Sequence, residues 1–469
     1  MKYLVIMRTV ILAVFYLSCF LSYPDSKAQK FVYQSNTLIL TENTLADGLG
    51  VFTIEDLPVV TPKCTIEQKK SATPLTNKMW KIALNDVEQN MVTNNYGTYF
   101  AAGRRYTDRV YTRDISFAGI LGLNVLYPKE MLQSLKVTRD VTARLGYKVS
   151  SQEVIKDIAA PWEVITDDVK QVMAQYKSNS ITRRTDDVVW IWATDDLFKT
   201  HPEIADWEWF YTTGKDNFKS IYDPWFDISD GLFRAQPTFQ DLTSSGYPRG
   251  MTVSDCVLLK GTSTNCIYYK AMLCLANAAK KCNLPDESKY WNKRAEDLKA
   301  AIRKELILPD GTLTYYKDRY GKVMKNQHNL GTAFAILFGI LDGKEARKAI
   351  DNYPTAEYGT PLIYPFLDDN DGDHNQASWP FCDTFFLQAK EIADGKDYTG
   401  YNAALLARTI GTKFSEKRDI EWGGFGSFHE KVQLPSGLIS GSGSQLWTSA
   451  AFMNICLRAN LVSLNAKNK

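Results

Sequence analysis

Residues 261–305 read GTSTNCIYYKAMLCLANAAKKCNLPDESKYWNKRAEDLKAAIRKE. Apolar residues recur three and four apart on both sides of Asn283-Leu284-Pro285. That spacing lays one apolar face along each of two helices, and the proline breaks them apart. The stretch is a helical hairpin, with helices over 261–282 and 286–305. The same periodicity predicts helices over 76–93, 114–126, 128–144, 187–199, 203–220, 330–341, 343–352, 379–394, 398–414 and 444–461. Twelve helices in six consecutive hairpins can close into a ring of inner and outer helices. An open solenoid is the alternative, but no sequence period repeats. The expected fold is all-α, an (α/α)6 toroid, with long loops gathered at one end to build a pocket.

Before the first helix, residues 29–75 mix short β-favouring runs with turn residues and are expected to form an extended arm with a few strands. The toroid is assigned to 76–465. Residues 1–28 have the pattern of an export signal: Lys2 and Arg8, an apolar run from Val10 to Leu21, and Ser26-Lys27-Ala28 before Gln29. This implies a periplasmic or secreted protein. Cys19 follows Tyr16-Leu17-Ser18, a poor match to a lipid-anchor site, because Tyr stands where Leu is expected. No other segment approaches a membrane span.

Without 1–28 the chain balances 52 basic against 52 acidic residues, so no basic surplus points to nucleic acid. Aromatic residues make up 12% of the chain, which suits a large aromatic core, a groove of stacking platforms, or both. Seven cysteines follow Cys19, an odd number that argues against a full disulfide framework. Cys266, Cys274 and Cys282 recur every eight residues, as buried small apolar residues would. No C-x-x-C pair occurs. Asp369, Asp371 and Gly372 partly match a calcium loop, but Leu367 and Ser378 stand where its first and twelfth ligands should be. No metal and no cofactor are expected. Phosphate-loop, dinucleotide, H-E-x-x-H and G-x-S-x-G patterns are all missing.

Four loops and one glycine-rich stretch carry candidate chemistry. YTDRVYTRDISFAG (106–119) sets Arg113-Asp114 at a helix start, either as a cap or as a buried pair facing sugar hydroxyls. DDVVWIWATDDL (186–197) holds Trp190, a core residue or a stacking platform. FDISDGLFRAQPTFQDLTSSGYPRG (226–250) holds Asp230, Arg234 and Asp241. DDNDGDHNQASWPFCD (368–383) sets His374 and Trp379 just ahead of a helix. The stretch 421–452, EWGGFGSFHEKVQLPSGLISGSGSQLWTSAAF, holds Glu421, Glu430, Gln445 and Trp447 among glycines. Acids beside aromatics in a glycine-rich loop suit sugars, which have apolar faces and polar rims. A salt-bridged turn between helices would also fit that stretch.

TRDISFAGIL (112–121), PTFQDLTSSGYP (237–248), HNQASWPF (374–381) and the stretch from His429 to Phe452 resemble the six-hairpin (α/α)6 glycosidases. These include bacterial relatives of processing α-glucosidase I, glycogen-debranching-type enzymes and α-rhamnosidases. In the α-glucosidase I group a catalytic Glu opens a segment E-N-Y-x-P-x-T-G, followed by glycines and a W-[ST]-[AS]-A helix. Here Glu430 stands seven residues before Gly437, and Trp447-Thr448-Ser449-Ala450 follows. The resemblance therefore implies Glu430, rather than Glu421, as general base. The family's acid is an Asp in a W-D-x-S context. Phe239-Gln240-Asp241-Leu242-Thr243-Ser244 is the nearest match, with the Trp replaced and the hydroxyl displaced, so Asp230 stays a rival to Asp241.

The resemblance implies an exported inverting glycoside hydrolase acting on an oligosaccharide or glycoside, α-linked, as a monomer. Asp241 and Glu430 would be its acid and base. Arg113, Asp114, Asp230, Arg234, His374 and Gln445 would hold hydroxyls, while Trp190, Trp379 and Trp447 would stack. Two other readings are a catalytically inactive sugar-binding ring and a polysaccharide lyase on a helical toroid.

Overall fold

The computed structural model describes residues 30–464 except 95–96, 107–108, 145–152, 155–170, 172–184, 220–222, 241–245, 356, 369–373 and 416. Twelve helices of seven or more residues occur among the described residues, at the positions the periodicity predicts. They are α1 (Pro74–Gln89), α2 (Thr112–Ala118), α3 (Pro128–Arg144), α4 (Thr185–Thr200), α5 (Trp207–Asn217) and α6 (Thr262–Lys281). Then follow α7 (Pro285–Glu305), α8 (Asn329–Leu337), α9 (Gly343–Asp351), α10 (Pro380–Asp394), α11 (Thr399–Arg408) and α12 (Leu446–Arg458). α2 runs on as a π-turn over Gly119–Leu123, where Gly122 leaves helical geometry.

The even-numbered helices touch in a cycle. α2 meets α4, α4 meets α6, and so on through α8 and α10 to α12, which returns to α2. The odd-numbered helices pack outside: α7 on α6, α5 on α4 and α6, α9 on α8 and α10, α1 on α12. The sequence explains the difference. α6 buries residues all round, including Cys266 and Cys274, whereas α7 buries only Trp291, Ala295, Leu298 and Ile302. A helix wetted on one face belongs outside and one that is apolar all round belongs inside. Within the cycle an aromatic plug fills the space. Phe117 (α2) lies 5.5 to 6.5 Å, centroid to centroid, from Trp192 (α4), Phe334 (α8), Phe381 and Phe385 (α10). Each such pair adds about 0.5–1.5 kcal/mol beyond area burial.

The fold is helical but not purely so, because the long loops pair with one another to satisfy their backbone groups. The arm forms a four-stranded antiparallel meander: β1 (Tyr33–Gln34), β2 (Leu38–Leu40), β3 (Thr44–Asp47) and β4 (Gly50–Thr53). It packs on α11. There Arg408, at the end of α11, makes a fully buried ion pair with Asp47 at 2.7 Å and donates to the Gly437 carbonyl at 2.8 Å. A small hairpin within 311–324 closes between Tyr316 and Met324. A three-stranded sheet joins β5 (Ala377–Ser378), β6 (Lys431–Gln433) and β7 (Ile439–Ser440) in that order.

Candidate active site

The five inner helices whose starts are described begin after Tyr111, Gly261, His328, Trp379 and Gln445, and none of these five residues caps its helix with its side chain. Their first N–H groups and the positive ends of their dipoles are thus left to the loops or to a ligand. Contacts tie these starts together. Gln445 Nε2 lies 3.5 Å from Asp114 Oδ1, joining α12 to α2. Trp447 and Trp379 meet edge to face at 5.7 Å, joining α12 to α10. Phe239 packs on Trp379 and on His328, reaching α8, while Thr238 N–H donates to Ser263 of α6 at 2.9 Å.

The three-stranded sheet sets Glu430 in this assembly. Lys431 pairs with Ser440, so Glu430 and Gly441 flank the pair at the open end of the hairpin. Ser442 N–H donates to Glu430 Oε2 at 3.0 Å. A Cβ on Gly441 would run into that carboxylate, and Gly441 has φ +86°, so only glycine fits without strain. Ser378 pairs with Val432, which brings Trp379 beside Lys431, whose Nζ lies 5.7 Å from the indole centroid. Tyr106 is the other neighbour. Burial and then the negative charge of Glu430 push its hydroxyl far above the usual tyrosine range, with Arg105 opposing. Its ring meets Tyr111 edge to face at 5.4 Å.

The floor is aromatic. Trp447 stacks on Phe381 at 4.1 Å, and Phe239 lies against Trp379, Trp447 and His374. Phe239 holds this place with φ +54°, a left-handed backbone that side chains other than glycine rarely adopt and that costs of the order of 1–3 kcal/mol. His374 Nδ1–H donates to Gln240 Oε1 at 2.8 Å, and Gln240 reaches His328 at 3.4 Å. Burial and then the charge of His374 lower His328 to about 3, so it stays neutral. Trp379 Nε1, Trp447 Nε1 and Gln445 Oε1 are buried and meet no partner among the described residues, so polar atoms of a bound molecule can satisfy them.

Of the residues singled out in the sequence, the structure gathers Arg113, Asp114, His374, Trp379, Gln445 and Trp447 around Glu430 and its floor. Arg113 pairs with Asp114 at 3.6 Å, and both are buried. Asp241, and the calcium-like residues Asp369 and Asp371, lie outside the described residues. Trp190 is elsewhere. It is fully buried, donates to the Leu135 carbonyl at 3.0 Å and packs on Trp209 and Phe210, because a two-residue step turns it away from Trp192 and the ring interior. Asp230 and Arg234 belong to a separate charge cluster. Lys260 bonds both Asp227 and Asp230 at 2.6 Å, Lys317 bonds Asp230 at 2.9 Å, and Arg234 bonds Asp227. Among the described residues no group of three or more His, Cys, Asp or Glu could hold a metal ion.

Sequence reasoning missed Asp86. Its carboxylate accepts from Phe428 N–H at 2.9 Å and Ser449 Oγ at 3.2 Å, tying the Glu430 loop to α12. Burial raises it to about 7 against those bonds. The signal was legible: Asp86 falls on the buried face of α1, in line with Met79, Ile82 and Ala83.

A family model described as the bacterial α-L-rhamnosidase six-hairpin glycosidase domain matches residues 260–360. Solved structures share the fold. A glycosidase solved with glucose is 13% identical, with TM-score 0.53, covering 82% of this chain and 98% of its own. An uncharacterized conserved protein from Thermus thermophilus is 14% identical, with TM-score 0.53, covering 80% and 99%. A GH78 family rhamnosidase of Bacillus sp. GL1 is 14% identical with TM-score 0.50, but this chain spans only 36% of it. No curated protein sequence matches. Over residues 260–360 the match is thus to a six-hairpin glycosidase domain, and the solved structures show that the fold is shared.

Proposed function

We propose that the chain is an exported, monomeric inverting glycoside hydrolase on an (α/α)6 toroid, cutting an α-linked glycoside, with Glu430 as general base and Asp241 as general acid. The observation that carries this reading is the setting of Glu430: buried, oriented by Ser442 N–H, near enough to Tyr106 for its charge to raise that hydroxyl, and next in the chain to Lys431, whose ammonium lies over Trp379 of the Trp379–Trp447 pair. Such a carboxylate can hold a water against the anomeric carbon while the indole faces take a sugar ring. The assignment of Asp241 rests on its being the nearest match to the family's acid motif and on Gln240, its neighbour in the chain, which reaches His374 and His328. Inversion needs carboxyl groups about 6.5–9.5 Å apart. Arg113, Asp114, His374 and Gln445 would hold hydroxyls. The alternation of inner and outer helices supports the toroid, and the pattern of residues 1–28 supports export.

A panel of α- and β-linked oligosaccharides, with the anomer of the first product read by NMR, tests the reading. The expected result is hydrolysis with inversion. Retention, or sugar binding without turnover, would overturn it. An unsaturated, ultraviolet-absorbing product would point to a lyase instead.

A further inference from the structure

Arg105 stands on the same wall as Glu430 and is not accounted for by hydrolysis of a neutral sugar. Its backbone N–H donates to Ser442 Oγ at 3.1 Å, and Ser442 N–H in turn holds Glu430. Its guanidinium lies 4.1 Å from the Trp422 ring centroid and 5.4 Å from that of Tyr106. Two rings therefore restrain an exposed side chain that would otherwise lose much rotamer freedom on binding.

Charge around it is uneven. Arg113 is matched by Asp114, and Lys431 adjoins Glu430 in the chain. Arg104 and Arg105 make no ion pair with any carboxylate among the described residues. Glu421, next to Trp422, forms none with Arg105. The chain as a whole is balanced, so this surplus is local. The cluster of Asp227, Asp230, Arg234, Lys260 and Lys317 shows how the same chain neutralises cations that serve structure.

We infer that the sugar bound beside Glu430 carries a carboxylate, as a uronic acid does, and that Arg105 receives it. A guanidinium held between two rings can offer two parallel N–H groups that match a carboxylate. This inference rests on the glycosidase reading for the position of the sugar but makes a separate claim about its charge.

The test compares matched 4-nitrophenyl glycosides, α and β, of glucose and glucuronic acid and of galactose and galacturonic acid. Turnover by the full-length protein is followed, and binding of glucuronate, galacturonate and their neutral parents is measured by calorimetry on Glu430→Gln. The acidic member of one pair should be preferred. Arg105→Gln should lower that preference about tenfold to hundredfold, while Arg105→Lys restores only part of it. Added salt should weaken the acidic member alone. Melting temperatures near the parent's show that the variants fold. Preference for the neutral member, equal response to both or to neither, or an unchanged ratio in Arg105→Gln overturns the inference. Hydrolysis of neutral glycosides alone would leave the glycosidase reading standing and sink this one. Arg105-dependent binding of uronates without hydrolysis would do the reverse.

Discussion

Two acidic loops lie near the starts of inner helices and are built differently. In the 226–234 loop, cations take up the carboxylates. Asp227 and Asp230 share Lys260, Arg234 adds to Asp227, and Lys317 adds to Asp230 and Glu305. Burial raises Asp227, but the bonds from Lys260 and Ser229 and the charge of Arg234 outweigh it and leave it well below the usual carboxylate range. At Glu430 a backbone N–H, that of Ser442, donates to the carboxylate and Gly441 packs against it, while the nearby Asp86 is raised by burial to about 7. A carboxylate locked by lysines is part of the scaffold. The contrast bears on the choice between Asp230 and Asp241, because Asp230 is spent on two ammonium groups.

The largest effect expected is loss of turnover in Glu430→Gln. Removing a general base costs about 10²–10⁴-fold, and Gln keeps the volume and can still accept from Ser442. Glu421→Gln, on the exposed side of the same loop, should keep near-parent turnover. The comparison breaks if initial rates on a confirmed substrate put the loss at Glu421 instead.

The second effect is on stability. Asp230→Asn leaves Lys260 and Lys317 with one fewer partner in a largely buried setting, which costs about 3–5 kcal/mol by analogy with broken buried pairs. Chemical denaturation should show that loss, while the folded fraction keeps its specific activity. A stable but inactive Asp230→Asn would move the acid to 230 and erase the distinction between the loops.

Third, Gly441→Ala should reduce kcat more than stability. The new Cβ meets the Glu430 carboxylate and the residue must hold φ +86°, so the loop has to shift, at a cost of the order of 1–3 kcal/mol. Full activity in this variant would show that the tight packing of Gly441 on Glu430 does not matter for function.

Much of this was legible in the sequence, for reasons that differ by element. α3 begins at Pro128 and α7 at Pro285, because proline and periodicity agree there. α11 ends at Arg408, six residues before its predicted end at 414, because Gly411, with φ +127°, cannot continue it. The identity of the site loops was legible because aromatic and acidic residues cluster before helix starts. Which acids are spent was not. Asp230 meets Lys260 and Lys317 across 30 and 87 residues, pairings that no local pattern encodes. Trp190 and Trp192 differ only by which side of α4 faces the ring. Asp86 was readable as an acid on an apolar stripe, but its partner Phe428 lies 342 residues away.

The last effect separates the two loops by the sign of their pH dependence. Asp86 has an ordinary value of 3.8 and is raised to about 7 by burial. Between those values the folded state keeps a proton that the unfolded state has lost, so stability falls as pH rises through that window and levels off above it. Asp383 behaves alike: burial raises it to about 7, although Ser378 Oγ and Thr360 N–H both donate to it. Asp227, lowered by its cations, has the opposite sign. Its contribution is present above the unfolded value and is lost as pH falls toward its folded one. Asp86→Asn keeps an acceptor for Phe428 N–H and cannot ionise, so its stability should decline less than the parent's between about pH 4 and 7. The difference should be on the order of 1.4 kcal/mol per pH unit at most. Denaturation midpoints measured at several pH values give both slopes. Parallel slopes would mean that Asp86 is ionised throughout, and the Glu430 loop would then be anchored by a charge, as the 226–234 loop is.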